Sequence, residues 1–121
     1  MHKKRVLIID DDARNIFALS ATLKAKSFDS ISCSGAREAL ELLKTDEVVD
    51  AILIDMMMPD MDGYEAIPLI KHIETRRLTP VFAVTAQAMT GDREKCLEAG
   101  ADDYISKPIN VDHLLQLLRS I

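Results

Sequence analysis

The chain has 121 residues, 48% of them hydrophobic, and a net charge of −5. That length suits one domain with one sizeable core, and that apolar share excludes a disordered chain. The acidic balance, with no basic run longer than His2-Lys3-Lys4-Arg5, argues against an electrostatic nucleic-acid binder, and no apolar stretch approaches the roughly 18 residues of a membrane span.

The chain opens with basic residues, but the apolar run that follows, Val6 to Ile9, is too short for a signal peptide. A cytoplasmic location is expected. The two cysteines, Cys33 and Cys96, fit a reducing compartment and form no Cys-x-x-Cys pair. Both read as packing residues.

Apolar runs and helical patterns then alternate five times. The first predicted strand is Arg5–Asp10, ending in Asp10-Asp11-Asp12. Ala13 to Lys24 follows with Ile16, Leu19 and Leu23 at helical spacing, and Asp12 suits its first turn or N-cap. The second strand, Asp29–Cys33, alternates Ser30 and Ser32 against Ile31 and Cys33, as an edge strand does. Ala36 to Lys44 is the second helix, with Ala39, Leu40 and Leu43 on one face. The third strand, Asp50–Asp55, is a continuous apolar run into a single carboxylate, Asp55.

Asp62-Gly63-Tyr64-Glu65 resembles a capping box that opens the third helix. Pro68 then falls within two turns, so a late start or a kink is expected. The fourth strand is Pro80–Thr85. A helix opens at Thr90 or Gly91 and stops at Gly100, which reads as a left-handed terminus. The fifth strand, Asp102–Ser106, runs into Lys107-Pro108. Asn110 caps a last helix whose Val111, Leu114, Leu115 and Leu118 form a stripe.

Five such units predict an α/β, flavodoxin-like doubly wound sheet of order 2-1-3-4-5. In that order Asp10, Asp11 and Asp55 become neighbours, and Lys107 comes in from the far side. Ligands bind at that edge of open α/β sheets. Like charges about 4 Å apart cost on the order of 4 kcal/mol per pair at an effective dielectric near 20, so a sheet that gathers the carboxylates needs a compensating cation or a function.

Four segments in order are similar to the receiver domain of two-component response regulators: Val6-Leu7-Ile8-Ile9-Asp10-Asp11-Asp12, Ile54-Asp55-Met56-Met57-Met58-Pro59-Asp60-Met61-Asp62-Gly63, Ala83-Val84-Thr85-Ala86 and Tyr104-Ile105-Ser106-Lys107-Pro108. The resemblance covers the whole chain. It implies that Asp55 accepts a phosphoryl group. It implies Mg²⁺ on Asp11 and Asp55 directly, on Asp10 through water, and on the backbone carbonyl of Met57. Oxygen ligands with retained waters suit that ion.

By the same resemblance Lys107 pairs with a phosphoryl oxygen, and the Lys107–Pro108 peptide is cis and helps aim Lys107 back into the site. Thr85 bonds the phosphoryl group once Asp55 is modified, and Tyr104 swings inward, the two forming a switch. Such a domain is no conventional enzyme, since it catalyses its own phosphorylation and autodephosphorylation. Its donor is a histidine kinase or a histidine phosphotransfer protein, docking around Asp55, Lys107 and the first helix. Its output face is the fourth helix, fifth strand and fifth helix, and no nucleic acid or membrane is involved.

A bulky Met57, together with Gln87 two residues after Thr85, could limit water access to the acyl phosphate and slow its hydrolysis. Residues 1–121 are expected to form a single domain with no effector. The start at Met1 points to a free-standing protein, whereas Thr85 to Cys96 looks like the corresponding stretch of hybrid-kinase receivers. A Mg²⁺-dependent phosphohydrolase with an aspartyl-phosphate intermediate is the competing reading. It is weakened by the lack of a cap domain or substrate-pocket insertion. A flavin or nucleotide site is disfavoured too, because Asp stands where a phosphate loop would follow the first strand and aromatics are only 4% of residues.

Overall fold

The continuous apolar runs of the sequence become the central strands of a parallel sheet, because such runs can be buried on both faces only in the middle of a layered structure. The structure, a computed structural model, describes residues 3–86 and 91–121. Its strands are β1 (Arg5–Ile9), β2 (Asp29–Cys33), β3 (Ala51–Asp55), β4 (Val81–Thr85) and β5 (Asp103–Ser106), in the order β2-β1-β3-β4-β5. All four pairings are parallel. Every residue of β3 and β4 is buried, whereas β2, at one edge, leaves Ser32 exposed and Ser30 half-buried.

The strands start or end within one residue of the sequence expectation, and at the openings of β3 and β5 a carboxylate accounts for the difference. Asp50 accepts from the Arg5 N–H through its carboxylate (2.7 Å), and Asp102 does the same for Val81 (2.8 Å). A side chain therefore takes over where the regular backbone ladder stops.

The helices are α1 (Ala13–Ala25), α2 (Ala36–Leu43), α3 (Gly63–His72), α4 (Asp92–Ala99) and α5 (Val111–Arg119), with a short 3-10 turn at Glu74–Arg76. Three begin under side-chain caps. Asp12 accepts from Arg14 N–H, Asp62 from Glu65 N–H and Asn110 from His113 N–H. Thr90, one expected start of the fourth helix, lies outside the described residues, and α4 follows Gly91. It ends at Gly100 with φ 113°, a left-handed conformation that favours glycine.

The expectation of a late start for the third helix is corrected here. The helix begins at Gly63 and holds Pro68 inside it. Pro68 is exposed, so the Tyr64 carbonyl that loses its helical donor can turn to water. No helix of the described residues is long and apolar enough to cross a membrane.

Alternation sorts the strand side chains between two helix layers. Leu7, Ile9, Ile52, Ile54, Val81 and Ala83 pack toward α2, α3 and α4, meeting Ala39, Leu43, Ala66, Ile67, Ile70 and Cys96. Val6, Ile8, Leu53, Phe82, Val84 and Ile105 pack toward α1 and α5, meeting Leu19, Leu23, Leu114 and Leu118. Val111 is the outlier of its predicted stripe and stays partly exposed.

One buried charge sits far from the strand tips. Arg76 is 7% exposed, and its guanidinium donates from Nε to the Leu43 carbonyl and from Nη2 to the carbonyls of Thr45 and Glu47, at 2.7–2.9 Å. It thereby satisfies the negative end of α2 and the turn into β3. Arg76→Met keeps the volume but orphans three carbonyls. It should cost about 3 kcal/mol in urea unfolding, and a loss under about 1 kcal/mol would show that the clamp is dispensable.

Candidate functional site

Strand alternation also decides which polar residues meet at the upper edge of the sheet. Asp10 continues the series Val6, Ile8; Asp55 continues Ala51, Leu53; and Lys107 continues Ile105. All three inherit the α1/α5 face. Thr85 continues Val81 and Ala83 and inherits the opposite face, where Tyr104 also packs.

Asp10 and Asp55 are almost fully buried, at 4% and 6% exposure, while Asp11 is exposed. One oxygen from each of the three carboxylates falls within 4.8 Å of the others. Lys107 Nζ lies 3.3 Å from Asp55 Oδ2, and the Met57 N–H donates to Asp55 Oδ1 at 3.0 Å. The Asp12 N–H donates to Asp10 Oδ1 at 2.9 Å. Burial pushes the Asp10 carboxyl above its ordinary value; the Asp12 N–H opposes this, and the neighbouring Asp55 charge adds to it. Asp12 is held below its ordinary value by the Arg14 N–H it caps, so its carboxylate is committed to α1.

The donor set is hard oxygen only. An octahedral ion with bonds of about 2.0–2.1 Å spans roughly 4.2 Å between opposite ligands. Three carboxylate oxygens within 4.8 Å of one another leave room for such an ion among them, held directly by some and through retained water by another. The methionines do not offer a rival cage, because Met56 and Met58 are buried in the core.

Lys107 is set by its backbone as well as by its charge. Its N–H donates to the Thr85 carbonyl at 2.8 Å, and the Lys107–Pro108 peptide is cis. Thr85 is 2% exposed at the tip of β4. Tyr104 is half-buried, paired in register with Ala83, and stands three residues before Lys107. Thr85 and Tyr104 therefore flank the acidic cluster on the other face of the sheet. Met57 is 57% exposed beside the site. Gln87, the other half of the water-exclusion expectation, lies outside the described residues.

The structure adds residues that the sequence did not single out. Asn15, on the first turn of α1, has its side chain beside Asp10. It lines a cavity of about 270 Å³ with Asp10, Leu19, Lys107, Pro108 and Leu114. Its spacing of five from Asp10 was the available signal, and it has meaning only once α1 is known to start at Ala13. Gly63 is required by contact. A Cβ there would fall 2.9 Å from Met56 Cα and closer still to its sulfur, so α3 can sit on the chain just after Asp55 only without a side chain.

These features coincide with a family. The sequence model of the response regulator receiver domain matches residues 6–119. The chain belongs to that family. Among curated relatives, the signal transduction histidine-protein kinase BarA of Shigella flexneri is 42% identical over 113 residues, covering 93% of this chain and 12% of that protein. The polar-differentiation response regulator DivK of Brucella ovis is 35% identical over 117 residues, 97% of this chain and 94% of DivK. The chain thus spans about an eighth of the first and nearly all of the second.

Among solved structures, the receiver domain of sensor histidine kinase PA1611 from Pseudomonas aeruginosa superposes with a TM-score of 0.88 at 32% identity. The match covers 98% of this chain and 97% of that one, and that structure has a magnesium ion coordinated in its active site cleft. The receiver fold with strand order 2-1-3-4-5 is as the sequence led one to expect.

The buried Asp10 carboxylate gives this receiver domain a measurable cost. Its folded value is raised, so the folded state holds its proton more tightly than the unfolded chain. Stability is then lost as pH rises from the ordinary carboxylate value through the raised one. Asp10→Asn keeps an acceptor for the Asp12 N–H and removes the charge. It should raise the Tm of metal-free protein at pH 7, and a lowered Tm would show that the charge is compensated in the folded state.

Proposed function

We propose that Asp55 is the nucleophile of a two-component phosphorelay. On this reading it takes a phosphoryl group from the phosphohistidine of a histidine kinase or a histidine phosphotransfer protein in the cytoplasm. The observation that carries this reading is the Lys107–Asp55 pair at 3.3 Å set against three clustered carboxylates. A carboxylate is a poor nucleophile toward an anionic phosphoryl group, so the site has to neutralise and align rather than generate a stronger base.

Mg²⁺ suits the oxygen donors described above, with Asp11, Asp55 and the Met57 carbonyl as direct ligands and Asp10 through water. When bound, it supplies the positive charge that offsets the phosphoryl oxygens. The rest falls to the chain itself. The Met57 N–H fixes the plane of the Asp55 carboxylate. Lys107 is a point charge for a transferred oxygen. As the Asp55 oxygen bonds phosphorus, the P–N bond breaks and the imidazole leaves with the electron pair, taking up a proton.

Thr85 then donates its hydroxyl to the phosphoryl group, and Tyr104 follows inward. This shifts the surface of α4, β5 and α5 that a downstream protein reads. The donor side has an apolar landing surface next to the acids. The cavity between α1 and α5, beside Asp10 and Lys107, is lined by Pro108, Ile109 and Val111.

Intact-protein mass after incubation with a small phosphodonor tests the reading. One phosphoryl adduct is expected in wild type with Mg²⁺, and none without Mg²⁺ or in Asp55→Asn. Wild type that stays unmodified under all conditions would overturn the phosphoacceptor role. Met57, exposed beside Asp55, also shields the acyl phosphate from water. Met57→Ala should shorten the phosphate-release half-life severalfold, and an unchanged half-life removes Met57 from hydrolysis control.

A further inference from the structure

The loop from Met56 to Asp62 carries the carbonyl that the Mg²⁺ reading uses, and it is held from two sides. On the inside, the Met57 N–H donates to Asp55 and the Gly63 N–H donates to the Met56 carbonyl at 3.2 Å. On the outside, Arg37 Nε of α2 reaches Asp60 Oδ2 at 2.7 Å, across 23 positions of chain. Asp60 has φ 68°, a left-handed conformation that a non-glycine residue holds only where its surroundings favour it. The far end of the tie is fixed, because Ala36, Ala39 and Leu43 bury α2 against the sheet.

We infer that Arg37 is a positioning residue for the metal site, strapping the β3–α3 loop to α2 through Asp60 so that the Met57 carbonyl is presented beside Asp55. This rests on the Mg²⁺ reading above. Neither Arg37 nor Asp60 belongs to the acidic cluster, and both are exposed, at 68% and 67%, so the effect is modest and acts through the loop.

The sign of the effect separates a strap from a mere charge. Arg37 is a cation near an anionic site. If it acted only through its field, removing it would tighten Mg²⁺ binding, whereas losing a strap loosens it. Asp60 carries the opposite charge, so field effects of the two residues would cancel in the double variant. A shared strap instead makes the double variant no worse than either single one.

The experiment is Mg²⁺ titration by calorimetry on wild type, Arg37→Gln, Asp60→Asn and the double variant, with denaturation midpoints as a folding control. Asn is chosen because it tolerates the left-handed conformation. With midpoints unchanged, each single variant should raise the Mg²⁺ Kd by about two- to fivefold, the range of an exposed ion pair. The double variant should match them, and the gap to wild type should shrink at high salt. An Arg37→Gln Kd equal to or below that of wild type, or a double variant restored to wild type, overturns the strap and leaves the Mg²⁺ reading intact. Wild type that binds no Mg²⁺ overturns both.

Discussion

Parallel pairing makes every strand of this sheet finish on the same edge, and the period-two alternation of side chains then decides which residues can meet there. The acidic site depends on those two constraints before any particular charge matters. Asp10, Asp55 and Lys107 come from strands whose inner residues pack on α1 and α5. A one-residue slip in any of the three would carry its polar tip to the other layer. The fully buried aliphatic runs of β1, β3 and β4 are what hold the register.

That edge concentrates negative charge in a place where burial makes charge expensive. The chain offsets it with the Lys107 ammonium, with the backbone N–H groups of Asp12 and Met57, and with the exposure of Asp11, whose charge stays hydrated. Asp10 still ends with a raised carboxyl. Residual electrostatic tension of this kind is expected of a site shaped for a cation and an anionic group in turn rather than for the resting protein.

Much of this was legible in the sequence because the signals were local. Continuous aliphatic runs named the strands, the serines of Asp29–Cys33 marked the edge, and Asp12, Asp62 and Asn110 each stood where an N-cap belongs and act as one. At Pro68 the expected late start did not hold, since a proline rule for helix interiors weighs the lost bond without knowing that the proline itself lies on the exposed side of α3. The longer-range pieces gave no such signal. Nothing in the neighbourhood of Arg37 points to Asp60, nothing near Arg76 points to the end of α2, and the need for glycine at position 63 appears only when α3 is laid on Met56. These contacts depend on how whole elements pack, which no window of sequence contains.

The bond from the Lys107 N–H to the Thr85 carbonyl joins two residues whose side chains serve opposite layers of the molecule. A sheet is usually a partition, with each helix layer feeling only its own face. Here one backbone bond at the tips of β4 and β5 reaches through that partition. A displacement of Lys107 would therefore be felt at Thr85, whose side chain belongs to the other face. That single bond ties the layer of α1 and α5 to the layer of α4 at the one edge where the charged side chains gather.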